Sequence, residues 1–324
     1  MINLTIIGLG KWGLELVKSV NKNSKIVKFN SVISRNPERI KKEAKKYKLS
    51  IYKNYSELLN STKIDGFVLC TPHSSHEKEI KNLSIYKKPI FVEKPLALDA
   101  KSAKNIISIC KKKKILLAVG QNRRFLETFL FLKKQIKNNK IGKITHIEGS
   151  FSGKSSFKDN KKSWRNQISE TPLGGMTGKG IHITDLMINL NGKVEKVLAR
   201  SKKILKNSKL DDSTDLILQF KNGTMGYLST ILATNKYWEL KVFGSNGWIK
   251  IFNEKELIQQ IGKSKIENIN LKYTNIEKRE LEEFAKCIKY NKKFSVDLSE
   301  VLENTKLFEA CIKSKKLNSK FIKI

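Results

Sequence analysis

Three short stretches hold residue types that could do chemistry together. In the first, Ile90, Phe91 and Val92 form an apolar, strand-forming run, closed by Glu93, Lys94 and Pro95. Pro95 stops ladder pairing and fixes φ. Open α/β sheets bind ligands beyond the carboxyl ends of their strands, so an amine held there can touch both a cofactor and a substrate. Taken alone, the same tripeptide reads as a solvated charge pair at a strand end. The second stretch is Gly8-Leu9-Gly10-Lys11-Trp12-Gly13, a G-x-G-x-x-G match that follows the apolar run Leu4 to Ile7. Its first glycine allows a tight turn, its second admits a pyrophosphate to the backbone, and its third lets helix pack on strand. The third stretch is Gly174 to Asp185, in which His182 follows a glycine-rich segment and Asp185 comes one helical turn later. An imidazole with a reference pKa near 6.5 suits proton exchange with a hydroxyl, and Asp185 is placed to orient it. A lone histidine is more often structural, and His146 is read that way.

The elements that must position these residues are legible as periodicity. After Gly13, Leu16, Val17 and Val20 recur on one helical face. Strand patterns at Ile26 to Ile33, Asp65 to Cys70, Pro89 to Val92 and Ile115 to Val119 alternate with helical ones at Pro37 to Tyr47 and Asp99 to Lys112. That alternation predicts a parallel, doubly wound sheet with right-handed crossovers. The second strand ends in Ser34-Arg35, where an NAD-binding chain would carry an acidic residue for the ribose hydroxyls. Ser34 cannot repel a 2′-phosphate and Arg35 can bind one, which predicts NADP over NAD, or tolerance of both. The bland alternative is a solvated Arg35.

From Ile144 the pattern changes to half-exposed alternation. Runs at Ile144 to Phe151, Val194 to Ser201, Thr214 to Phe220, Thr224 to Ala233, Trp238 to Phe243 and Gly247 to Phe252 read as an open, mainly antiparallel sheet with helices on one face. Two helical stripes close the chain: Leu281, Phe284, Ala285 and Ile288, then Val301, Phe308 and Ile312, with Asp297 and Glu300 as a capping pair. The expected division is 1–121 and 122–324, with a hinge near Asn122 to Phe125.

Composition narrows the function classes. A chain of 324 residues with 39% hydrophobic residues can bury ample core. No apolar run reaches the roughly 20 residues that span a bilayer, and the N-terminus runs straight into a strand pattern without a leader signature. The net charge of +35 suggests a polyanion partner, but only seven of the basic residues are Arg and the Lys are spread along the chain. Base readers favour the bidentate fork of Arg, so a specific nucleic-acid partner is not expected. Cys70, Cys110, Cys287 and Cys311 have no metal-ligand spacing; they read as buried free thiols in a reducing cytoplasm, and no metal site is expected.

The chain resembles the Gfo/Idh/MocA family, which includes glucose-fructose oxidoreductase and inositol dehydrogenase. The resemblance is carried, in order, by Gly8-x-Gly10-x-x-Gly13, Asp65-Gly66, Thr71-Pro72 and His76, Glu93-Lys94-Pro95-Leu96, Val119 to Phe125, Trp164-Arg165, Gly174-Gly175 and Gly180 to Asp185. It implies an N-terminal Rossmann domain, a C-terminal sheet domain, a nicotinamide cofactor and a homo-oligomer built through the C-terminal sheet as a dimer or tetramer. It also implies that Thr71, Pro72, His73 and His76 line the cofactor, and that Asn122, Trp164 and Arg165 approach it. His76 itself reads as bonding backbone. Lys94 would contact both nicotinamide ribose and substrate, joined on the substrate by Arg123, Thr177, His182 and Asp185. Pro95 would follow a cis peptide bond. Many relatives place an Asp four residues before this His; here the position is Gly178.

The resulting expectation is an NAD(P)-dependent oxidoreductase acting on a sugar, polyol or nucleotide sugar. Lys94 would stabilise the alkoxide and His182 would take the proton, meeting over one nicotinamide. The alternative is a cofactor-binding regulator without catalysis.

Overall fold

The computed structural model describes residues 1–61, 63–154, 163–205 and 209–324. The chain forms two compact units. The first comprises Met1–Ala97, Lys101–Asn122 and Asn275–Leu298; the second comprises Leu98–Ala100, Arg123–Thr274 and Ser299–Ile324.

In the first unit, β1 (Ile2–Ile7), α1 (Lys11–Asn21), β2 (Val27–Ile33), α2 (Pro37–Lys46), β3 (Ser50–Tyr52), α3 (Tyr55–Ser61), β4 (Gly66–Leu69), α4 (His76–Leu83), β5 (Ile90–Glu93), α5 (Ala100–Lys112) and β6 (Leu117–Gly120) alternate. The six strands pair in parallel in the order β3-β2-β1-β4-β5-β6, the Rossmann arrangement. β4, β5 and β6 are buried along their whole length. Helices cover both faces of such a sheet, which is why these strands read as short continuous apolar runs. The reversal of strand order lies between β1 and β4, so the switch point falls beside Gly8.

The second unit holds α6 (Glu127–Lys137), β7 (Ile144–Ser152), α7 (Ile181–Asn191), β8 (Val194–Lys202), β9 (Ser213–Phe220), β10 (Met225–Ile231), β11 (Tyr237–Gly244), β12 (Gly247–Ile251), β13 (Glu256–Ile261) and β14 (Glu267–Asn270). Its nine-stranded sheet runs β14-β13-β12-β11-β7-β10-β9-β8-β15, where β15 is Ile322–Lys323. Only the central β7–β10 pair is parallel. Along β9, Thr214, Leu216, Leu218 and Phe220 are buried while Ile217 is exposed, the period-2 pattern of a sheet with one covered face. α7 lies on the covered face, where Ile183 and Met187 press on Gly149 of β7.

Two helices follow the sheet strands in sequence. α8 (Ile276–Tyr290) is capped by the Asn275 side chain, which accepts from the Lys278 amide at 2.8 Å. Its stripe Leu281, Phe284 and Ala285 is buried in the first unit, with Phe284 5.6 Å from the Phe91 ring of β5. α9 (Leu298–Lys316) buries Val301, Leu307, Phe308 and Cys311 in the second. The expected cap pair there is used differently: the Glu300 carboxylate takes Arg124 and the Asn189 amide. No helix of the described residues is long and apolar enough to cross a membrane.

Candidate active site

The first unit gathers its predicted residues at one edge. Gly8–Gly13, Ser34–Arg35, Thr71–His76, Glu93–Lys94 and Asn122 each follow the carboxyl end of a parallel strand, namely β1, β2, β4, β5 and β6. Gly8 has φ +94, and a Cβ there would sit 2.7 Å from the Cys70 carbonyl oxygen, so only glycine fits between the ends of β1 and β4. A Cβ on Gly13 would collide with the Gly8 carbonyl, whereas one on Gly10 would meet nothing within 4 Å. α1 then starts at Lys11 with its N-terminal N–H groups beside that open face, the arrangement that receives a pyrophosphate. Trp12 Nε1 is buried there without a partner among the described residues. These features fit a dinucleotide.

Ser34 closes a small turn, donating to the Asn36 carbonyl at 3.1 Å and accepting from its amide at 3.2 Å. Arg35 beside it is exposed. After β4, Ser75 donates to the Thr71 hydroxyl at 3.0 Å and to the Pro72 carbonyl at 2.7 Å, which fixes the Thr71–Ser75 turn that carries His73. His76 is fully buried. Its Nδ1 faces the carbonyls of Pro95 and Leu96 at 3.1 and 3.2 Å, and its Nε2 faces that of Thr71 at 3.2 Å. The imidazole therefore braces the two turns that carry Thr71 and Lys94. The Lys94–Pro95 peptide bond is cis, as the resemblance implied. Lys94 is half-buried and Glu93 buried. Asn122 donates to Glu277 of α8 at 3.0 Å.

One acid of this unit was missed. Glu280 of α8 is 0% exposed, and neither carboxyl oxygen has a hydrogen-bond partner among the described residues. Burial first, then the charges of Glu93 and Glu277, push its pKa well above the usual carboxylate range. Its spacing of four from Phe284 on the apolar stripe was the available signal.

In the second unit the segment before His182 is a turn of π-helix, Met176–Gly180, running directly into α7. Such turns cluster at functional sites. Its glycines approach protein rather than ligand: a Cβ on Gly174 would collide with the Asp211 backbone, and Gly175 and Gly180 pack on Thr230 of β10. A Cβ at Gly178 would meet nothing within 4 Å. His182 is 6% exposed, with its ring 5.9 Å from that of Phe151. Arg123 stacks its guanidinium on the same ring at 5.2 Å and pairs with Glu254 at 2.7 Å. Trp164 and Arg165 stack on each other at 4.3 Å.

Two expected substrate contacts have other duties. Asp185 is 1% exposed and accepts from Arg124 Nε and Nη2, both at 2.7 Å, so its oxygens are taken by a guanidinium. Thr177 is buried and its hydroxyl accepts from the Leu173 amide at 3.4 Å, inside the turn. Beside them is a buried lysine the sequence reading passed over. Lys179 is 9% exposed, donates to the Gly153 carbonyl, and lies 5.9 Å from the Phe151 centroid. Burial pushes its pKa down to about 8. Its spacing of three from His182 was the clue.

None of the four cysteines is in a disulfide among the described residues; three are buried and Cys70 is half-buried. Among the described residues no group of three or more His, Cys, Asp or Glu could hold a metal ion.

The comparisons agree with this geometry. Residues 2–121 match a family model described as "Oxidoreductase family, NAD-binding Rossmann fold", and residues 129–250 match "GFO/IDH/MocA C-terminal domain". The chain is 26% identical over 260 residues to the 2,7-anhydro-N-acetylneuraminate hydratase of Escherichia coli, covering 78% of this chain and 68% of that one. It is 27% identical over 220 residues to the myo-inositol 2-dehydrogenase of Thermotoga maritima, covering 63% and 61%. Over other curated relatives the match spans 58% of the relative's length, or as little as 40%. In fold it is similar to a levoglucosan dehydrogenase solved with NADH and levoglucosan, with TM-score 0.89 and 19% identity over 99% of each chain. It is similar in fold also to an aldose-aldose oxidoreductase from Caulobacter crescentus, with TM-score 0.88 and 18% identity over 100% and 99%.

Proposed function

We propose, from the premise that this chain belongs to the Gfo/Idh/MocA family of oxidoreductases, that it oxidises or reduces a secondary alcohol of a sugar or polyol with NADP or NAD. The observation that carries the reading is the open glycine turn at Gly10 on the same sheet edge as Lys94. The bound nicotinamide supplies the hydride acceptor or donor; the chain supplies position and charge. As a CH–OH becomes C=O, a hydride and a proton must leave. The Lys94 ammonium stabilises the oxygen as it gains negative charge, and the His182 imidazole accepts its proton. Relatives and fold neighbours that act on inositol and levoglucosan support the substrate class.

Lys94→Ala lowers turnover by at least ~10²-fold, the scale of removing a transition-state charge partner, while titration calorimetry still shows cofactor binding. Wild-type-like turnover in that variant ends the reading. The absence of an acidic side chain at Ser34-Arg35 supports NADP use. Arg35→Ala lowers NADP affinity about tenfold, worth roughly 1.4 kcal/mol, and leaves NAD affinity alone. Equal loss for both cofactors would place Arg35 elsewhere.

The uncovered sheet face bears exposed Ile217, Met225, Tyr227, Ile231 and Tyr237, which supports a homo-oligomer through this sheet. Cys110, Cys287 and Cys311, buried thiols outside any disulfide, support a cytoplasmic location.

A further inference from the structure

Lys179 is the buried cation that the proposed chemistry leaves unused. Its amine reaches a carbonyl oxygen of Gly153 and the face of Phe151, and no carboxylate pairs with it among the described residues. A carbonyl and a ring reduce the cost of that burial, but neither cancels the charge. The same ring carries Arg123 at 5.2 Å and His182 at 5.9 Å. Of these, Arg123 has Glu254 as counter-ion through one terminal nitrogen, and its Nε is buried without a partner among the described residues. Donors on Arg123 and Lys179 thus border one aromatic ring next to the proposed proton acceptor, and Arg123 alone of the two has a carboxylate partner among the described residues. The strand side chains that press on the turn, Leu228 and Thr230, bring no charge.

Burying an unpaired ammonium is costly unless a partner completes it or the amine gives up its proton. We propose that Lys179, with Arg123 on the same ring, receives an anionic group, carboxylate or phosphate, carried by the sugar substrate. This rests on the dehydrogenase reading for the word substrate; the anion site itself does not.

The test uses the full chain and matched probes: D-glucose, D-glucuronate and D-glucose 6-phosphate, with the corresponding galactose set. Two readouts are taken, nicotinamide absorbance and the ligand-induced shift in melting temperature with NADP present. The expected result is at least a tenfold higher kcat/KM for an acidic member over its neutral partner. Lys179→Met removes that advantage mainly through KM, and Lys179→Arg keeps part of it. Preference for the uronate or for the phosphate says which anion the site takes. If no probe turns over, yet an acidic sugar raises the melting temperature of the wild type and not of Lys179→Met, the anion site stands and the dehydrogenase reading falls. If neutral sugars turn over as well as acidic ones, or Lys179→Met keeps the preference, the anion site falls and the enzyme remains. Lys179→Met without ligand melts at or above the wild-type temperature, because it removes an uncompensated charge; a large drop would show that the amine serves the fold alone.

Discussion

Arg124 and Lys179 are both buried cations of the second unit, and their surroundings are opposite. Arg124 meets Asp185 through two hydrogen bonds of 2.7 Å and Glu300 through a third. Burial opposes its charge, but the attraction of Asp185, then that of Glu300, outweighs burial and raises its pKa. Lys179 has burial without an acid, and its pKa falls. The first unit repeats the contrast in neutral form: Gly13 faces the Gly8 carbonyl, while Gly10 faces open space. Positions whose partners are complete hold the fold together. Positions left open by packing are where a ligand can supply what is missing.

Each half of that contrast can be broken separately. The largest effect falls on the filled ion site. Arg124→Met leaves Asp185 buried and alone, and lowers unfolding free energy by ~3–5 kcal/mol in denaturant titration, whereas Lys179→Met does not lower it. Similar losses in both would erase the distinction. Next come the glycines. Gly13→Ala forces a shift of backbone and lowers stability by ~1–3 kcal/mol. Gly10→Ala changes stability by less than about 1 kcal/mol yet weakens NADP binding in calorimetry, since its extended backbone suits alanine. Unchanged NADP affinity in Gly10→Ala would show that the open face receives nothing.

A further handle on the same contrast is pH. Lys179 titrates at about 8 when folded against a usual lysine value of 10.5. Between those values the unfolded chain binds the extra proton, so stability rises with pH across that window and is flat outside it for this group. The titratable and charged neighbours are Arg123 and His182 around Phe151, and Arg123 stays charged throughout. Subtracting the Lys179→Met curve isolates the rise; a falling difference would contradict the assignment.

Much of this was legible beforehand. The glycine turn, Glu93-Lys94-Pro95 and most strands announced themselves because local pattern and tertiary role coincide. β4 and β5 are apolar runs shielded from solvent by covering helices, and β9 and β10 alternate cleanly. β13 and β14 were not foreseen, since ELIQQI and ENIN are polar sequences whose pairing comes from the neighbouring strand. Asp185 was given to His182 by spacing, but Arg124, distant in sequence, holds both its oxygens. Lys179 and Glu280 were hidden for a related reason. In a chain with 65 Lys and Arg and 30 Asp and Glu, a charged residue on a buried face looks like any other until its neighbours are known.

The path of the chain between its units has a consequence for synthesis. The Rossmann sheet is complete by Gly120, but α8, which packs against β1, β2 and α1 and supplies Phe284 to Phe91, belongs to Asn275–Leu298. A ribosome delivering this polypeptide has made strands β7 to β14 of the other sheet before that last wall of the nucleotide fold emerges. The nascent N-terminal region therefore waits, with the hydrophobic flank of β5 uncovered, through more than 150 residues of translation. Completion of the cofactor-binding half is thus a late event of biosynthesis, although its residues are the earliest made.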